Sequence, residues 1–221
     1  MNESQQTTAA TENSPVASLR AKLLRAAWLA ILLGFVMEAL LLLFTAGFGI
    51  FPGLRPIAAD LIRQVSWSTF VCVGLALGTA VSKARAPLMG ILGFLAAPLA
   101  FTVSRSLHQG AVKTLEIAGS GVEAPPVLLL ALLKAVEYAC LGVALGWIGR
   151  RVWGGAMVHL ATGLLVGLVF GGTIVGLTYQ MSPDPPASAA LISLGANEIL
   201  FPVGCSLVLF AATAMGKRTE S

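Results

Sequence analysis

The sequence predicts an all-α integral membrane protein whose six transmembrane helices form tight antiparallel hairpins. Three observations carry that prediction. Of 221 residues, 57% are hydrophobic and 11% charged, where a soluble domain carries about 25% charged residues; mean hydropathy is +0.86. The apolar residues fall into six runs, each long enough to cross ~30 Å of hydrocarbon. Basic residues collect on alternate connections, the pattern that sets topology in a bilayer.

Residues 1–19 are rich in Ser, Thr, Gln, Asn and Ala, have no apolar period, and read as a disordered cytoplasmic tail. Arg20, Lys22 and Arg25 then precede the apolar run 27–48, which exceeds the ~7–15 residues of a signal-peptide core and is retained as a span. The remaining spans are 65–82, 86–104, 127–149, 154–178 and 189–215. Together they place a single transmembrane domain over 20–216, with a short cytoplasmic tail at 217–221. Very short basic turns, with Lys83 and Arg85 in one and Arg150 and Arg151 in the other, join spans two to three and four to five.

Nine basic residues lie on one side: Arg20, Lys22, Arg25, Lys83, Arg85, Arg150, Arg151, Lys217 and Arg218. Only Arg55, Arg63, Arg105 and Lys113 lie on the other. The positive-inside rule puts the first group, and with it both termini, in the cytoplasm, as in a multi-pass protein of the inner membrane. The net charge of +4 is dispersed over helix ends, which excludes a nucleic-acid surface; the expected partner is the lipid bilayer. On the outer side, residues 54–64 place Leu54, Ile57, Leu61 and Ile62 at helical spacing and read as a short interfacial helix, while 106–125 reads as the longest loop.

A weak internal repeat relates residues 70–78 of span two to 138–146 of span four, with five identities in nine positions. Duplicated hairpins, common in transporters, and convergence within a Gly, Ala, Leu and Val alphabet both account for it. Glycines recur at four-residue spacing in Gly74 and Gly78, Gly142 and Gly146, and Gly163, Gly167 and Gly171. Such faces let helix backbones approach closely where lipid supplies no hydrophobic drive. They serve packing within the chain, or they dock a second copy or another subunit of a membrane complex.

Ionisable residues inside the spans carry the functional expectation, because a charge at the bilayer centre costs at least ~2.5–3.5 kcal/mol. At ~1.5 Å per residue, Glu38, Glu137 and Glu198 lie about 16, 15 and 14 Å into their spans, near the midplane. Lys134 stands one turn from Glu137 and can pair with it or with a carboxylate on another helix. One cation cannot neutralise three carboxylates, so the remainder must be protonated, hydrogen-bonded or cation-bound. Asn197 neighbours Glu198, and Pro202 removes the donor for the carbonyl of residue 198, so a kink is expected there. Pro98 frees the carbonyl of Phe94 in the same way. Transporters coordinate ions at such broken helices.

Enzyme signatures are poor. Gly119-Ser120-Gly121 has no paired base, and no metal-ligand or phosphate-loop spacing is present, so no catalytic residue, metal site or cofactor is expected. His159, close to a span end, reads as a hydrogen-bonded interfacial residue, Trp28, Trp67, Trp147 and Trp153 as interfacial belts, and Cys72, Cys140 and Cys205 as buried free thiols. The leading expectation is a small transporter or channel-type protein with a proton- or cation-linked carboxylate centre. A non-catalytic subunit or assembly factor is the alternative, and an intramembrane enzyme comes third.

Overall fold

The computed structural model describes residues 15–80, 84–117, 125–182 and 186–218. Within them the chain forms six helices: α1 (Pro15–Gly47), α2 (Leu54–Leu77, continued by a 3₁₀ turn at Gly78–Ala80), α3 (Arg85–Thr114), α4 (Val127–Ile148), α5 (Ala156–Met181) and α6 (Ser188–Arg218). All six are long and apolar enough to cross a membrane, and no strand occurs among the described residues. Backbone donors and acceptors must be satisfied internally in lipid, and a helix does this within one segment. The outer surface fits that solvent: Leu32, Leu43, Ile91, Leu95, Leu128 and Leu165 are all more than half exposed. The protein is an all-α, multi-pass membrane protein.

The helices follow one another around a bundle in sequence order, and α6 closes it against α1 while also touching α2 and α4. The start of α1 and the ends of α2, α4 and α6 lie at one end of the bundle, the terminal end. The ends of α1, α3 and α5 lie at the other, the loop end. The partner on which α5 chiefly packs is α6 rather than α4, so the pairing expected across the Arg150–Arg151 turn is the looser one.

Several boundaries differ from the sequence reading. Because α1 starts at Pro15, residues 15–19, expected in the tail, are helical; proline is at home in a first turn, where its missing N–H has no partner to lose. The stretch 54–64 is helical but runs unbroken into the second span. On the far side of the bundle, α3 continues to Thr114, ten residues past the expected end. Its last turns are polar but contain no proline, and polarity alone does not end a helix that reaches the headgroup layer. The chain leaves α3 through Glu116, whose φ of 52° is unusual for a residue with a Cβ. There the Ile117 N–H donates to the Val112 carbonyl at 3.0 Å, and Arg55 Nη1 donates to the Leu115 carbonyl at 3.3 Å, tying the loop ends of α2 and α3 together. Lys83 and the Gly119-Ser120-Gly121 stretch fall outside the described residues.

Each glycine of the four-residue series meets a neighbouring helix of the same chain. On α2, Gly74 faces Ala96 and Gly78 faces Met89; on α4, Gly142 faces Met89 and Gly146 faces Ala86. The two halves of the repeat thus flank α3 from opposite sides, sharing Met89. On α5, Gly163, Gly167 and Gly171 meet backbone atoms of Pro202, Ile199 and Glu198 in turn. Such approach leaves room for weak Cα–H···O contacts between helices. In contrast, Gly172 and Gly176 have nothing within 4 Å.

A buried charge centre beneath an open cavity

Lys134 occupies the interior face of α4, two turns in from its loop-end start. Its Nζ donates to Glu137 Oε2 on the same helix at 2.8 Å and to Glu198 Oε2 on α6. The three side chains are 8%, 0% and 10% exposed. The i, i+3 spacing places Lys134 and Glu137 on one face, and α6 supplies the second carboxylate because Gly171 and Gly167 of α5 hold its backbone in close packing. Glu137 Oε1 is buried without a hydrogen-bond partner. The centre therefore holds one ammonium, two carboxyl groups and one open acceptor.

Aromatic rings enclose the ammonium. Lys134 Nζ lies 5.6 Å from the Trp67 ring centroid and 5.8 Å from that of Tyr138, within reach of cation–π attraction. Trp67 packs edge-on against Tyr138 and Phe201, with centroids 5.6 and 6.1 Å apart. This corrects the interfacial reading of Trp67, which is 8% exposed: helix α2 begins at Leu54, so its thirteenth following residue lies deep in the bundle. Trp28, Trp147 and Trp153 are exposed.

Asn197 adjoins the centre, but its Oδ1 accepts from Gln64 Nε2 at 2.8 Å, linking α6 to α2. A second α2–α6 link lies nearby, where the Cys72 and Cys205 sulfurs are 3.0 Å apart and fully buried. Sequence spacing did not reveal Gln64, Trp67, Tyr138 or this thiol pair as neighbours of the charges. Cys140, by contrast, is exposed on the lipid side.

Two of the three midplane carboxyls converge. Glu38 on α1 is buried, yet among the described residues it makes no hydrogen bond or ion pair, and the charges acting on it are Asp60 and Arg63 of α2. Both prolines lie inside continuous helices. Helix α6 runs through Pro202 without a break, and the Glu198 carbonyl it frees lies against α5, 3.3 Å from where a Cβ at Gly171 would stand. In the same way α3 continues through Pro98, and Phe94, whose carbonyl is freed there, is exposed and lines no part of the cavity described next. His159 donates through Nδ1 to the Gly155 carbonyl at 3.0 Å, inside the first turn of α5.

A cavity of about 940 Å³ opens at the loop end between α2, α3, α4 and α6, and Lys134, Glu198, Asn197 and Phe201 form its floor. From Pro56 to Trp67 its α2 wall climbs eleven helical rises, a depth of about 16 Å at ~1.5 Å each. No family model, curated protein or solved structure matches the chain. Among the described residues no group of three or more His, Cys, Asp or Glu side chains could hold a metal ion. The arrangement can bind or exchange a proton or cation: two carboxyl groups share one ammonium, and one carboxyl oxygen lacks a partner.

Proposed function

We propose that the chain is a small transporter or channel-type protein of the cytoplasmic membrane, with Lys134, Glu137 and Glu198 as a proton- or cation-linked centre. The observation that carries this reading is the position of that centre. Three ionisable groups from two helices meet, and two of them, Lys134 and Glu198, lie at the floor of a cavity at the loop end, where a structural ion pair would need neither the second carboxylate nor the access. Buried charges in spans mark ion and proton pathways by default. Packing of Tyr138, Leu141, Leu145 and Phe201 closes the side toward the terminal end, so passage requires helix movement. The nine-to-four distribution of basic residues supports an orientation with the loop end outside and both termini in the cytoplasm. Docking of a membrane partner through the glycine series, the alternative, loses support because those seven glycines already meet helices of this chain.

Reconstituted vesicles carrying a pH-sensitive dye test the proposal. Glu198→Gln keeps size and hydrogen bonding but removes the charge, so folded protein should persist while proton- or cation-driven flux falls. Unchanged flux in this variant between about pH 5 and pH 8 removes Glu198 from the mechanism.

A further inference from the structure

We propose that the cavity binds an organic monoanion, a carboxylate or phosphate headgroup attached to an apolar body. The inference rests on reading the cavity as the route to the Lys134 centre, and it assigns the substrate class of that route.

Two tiers of side chains support it. On both α2 and α3 a guanidinium stands four residues toward the loop end from an aromatic ring: Arg63 above Trp67, and Arg105 above Phe101. Residues four apart share one helix face, and all four line the cavity. A cationic tier thus overlies an aromatic one, and Phe201 completes the lower tier beside Trp67.

The upper tier has charge to spare. Asp60 is already held by Arg63 Nη2 at 2.9 Å and His108 Nε2 at 3.3 Å. The Arg105 guanidinium and the Lys113 ammonium, both on the cavity wall, make no side-chain hydrogen bond or ion pair with any described residue, and Arg63 Nε is buried without an acceptor. At the floor, Glu198 is taken by Lys134. Positive charge in a cleft with low-dielectric walls attracts and concentrates anions, and the aromatic tier offers an apolar body a surface that a bare inorganic ion cannot use. The volume lies within the ~300–1,000 Å³ of small-molecule sites.

Equilibrium dialysis of the full-length protein in detergent tests this, with phenylacetate as probe and phenylacetamide as its neutral counterpart. Phenylacetate should bind about tenfold or more tightly than the amide, since one charge-assisted hydrogen bond supplies that difference. Arg105→Gln should remove most of the preference by weakening phenylacetate more than the amide; if this variant misfolds by size-exclusion profile, Lys113→Gln serves in its place. Phe101→Ala should weaken both probes. Equal binding of acid and amide, or inorganic phosphate binding as tightly as phenylacetate, overturns the assignment. Phosphatidylglycerol that displaces phenylacetate identifies a lipid headgroup as the source of the anion, and failure to displace it identifies a soluble one; either result keeps the class. Binding without flux would refute transport and leave this inference standing, whereas flux without binding would do the reverse.

Discussion

Replacing Gly167 by alanine should loosen α5 from α6. A Cβ at Gly167 would stand 2.5 Å from the Ile199 carbonyl oxygen and 3.0 Å from its Cα. Both are backbone atoms, so no rotamer change can relieve the clash. Restoring an ordinary 3.4 Å separation requires the helices to part by 3.4 − 2.5 = 0.9 Å, which also opens the contacts at Gly163 and Gly171. Overpacking of this kind costs about 1–3 kcal/mol. Alanine in turn favours a helix over glycine by about 0.5–1 kcal/mol. Gly172→Ala, on the same helix with nothing within 4 Å, carries that gain without the clash. The difference between the two variants therefore isolates the steric effect, and for a chain of this size it corresponds to roughly 2–12 °C in melting temperature. Both proteins should be melted in one detergent at one scan rate, because irreversible unfolding reports a rate. Coincident melting curves would refute the idea that backbone proximity holds this pair together.

Lys134→Met should prevent accumulation of folded protein, since stranding two buried carboxylates costs about 3–5 kcal/mol. Adding Glu137→Gln and Glu198→Gln should restore monodisperse material on size exclusion, and a triple variant no better than the single one would show that charge balance is not the cause. In a background lacking native cysteines, an impermeant thiol reagent should label Gly110→Cys in intact cells but Arg150→Cys only after permeabilisation; the opposite pattern inverts the proposed orientation. In the native protein in detergent, Cys140 should alkylate first and Cys72 and Cys205 only on denaturation, as read by peptide mass spectrometry. Early modification of Cys72 or Cys205 would contradict their burial at the α2–α6 contact.

Spacing along the chain makes depth legible but leaves azimuth open. Glu38, Glu137 and Glu198 share a depth, yet only the latter two face Lys134, because rotation about each helix axis depends on packing by neighbours such as Gly171. The glycine series was readable, since a small residue every fourth position defines a face whatever lies opposite; that Gly74 and Gly142 would both turn toward α3 was not. Trp67 and Gln64 were hidden for a different reason. Placing the start of the second span at 65 put both at the interface, and moving the start back to Leu54 carries them inside. The cavity could not be read at all, because its wall depends on α3 continuing through a polar stretch to Thr114.

Close glycine contacts join α2, α3 and α4 in one group and α5 and α6 in another, and α1 packs on both groups through α2 and α6. Inside α2–α3–α4, and inside α5–α6, glycines bring backbone against backbone, and Met89 is wedged between Gly78 and Gly142 so that α3 has no free register along either neighbour. Between α2 or α4 and α6 the contacts are made by side chains: Lys134 to Glu198, Gln64 to Asn197, the thiols of Cys72 and Cys205, and the Trp67 ring against Phe201. Sliding within either group must pry apart close-packed main chain, whereas sliding of α6 along α2 and α4 shifts side chains, among them the Lys134–Glu198 pair whose charge a proton or cation would alter.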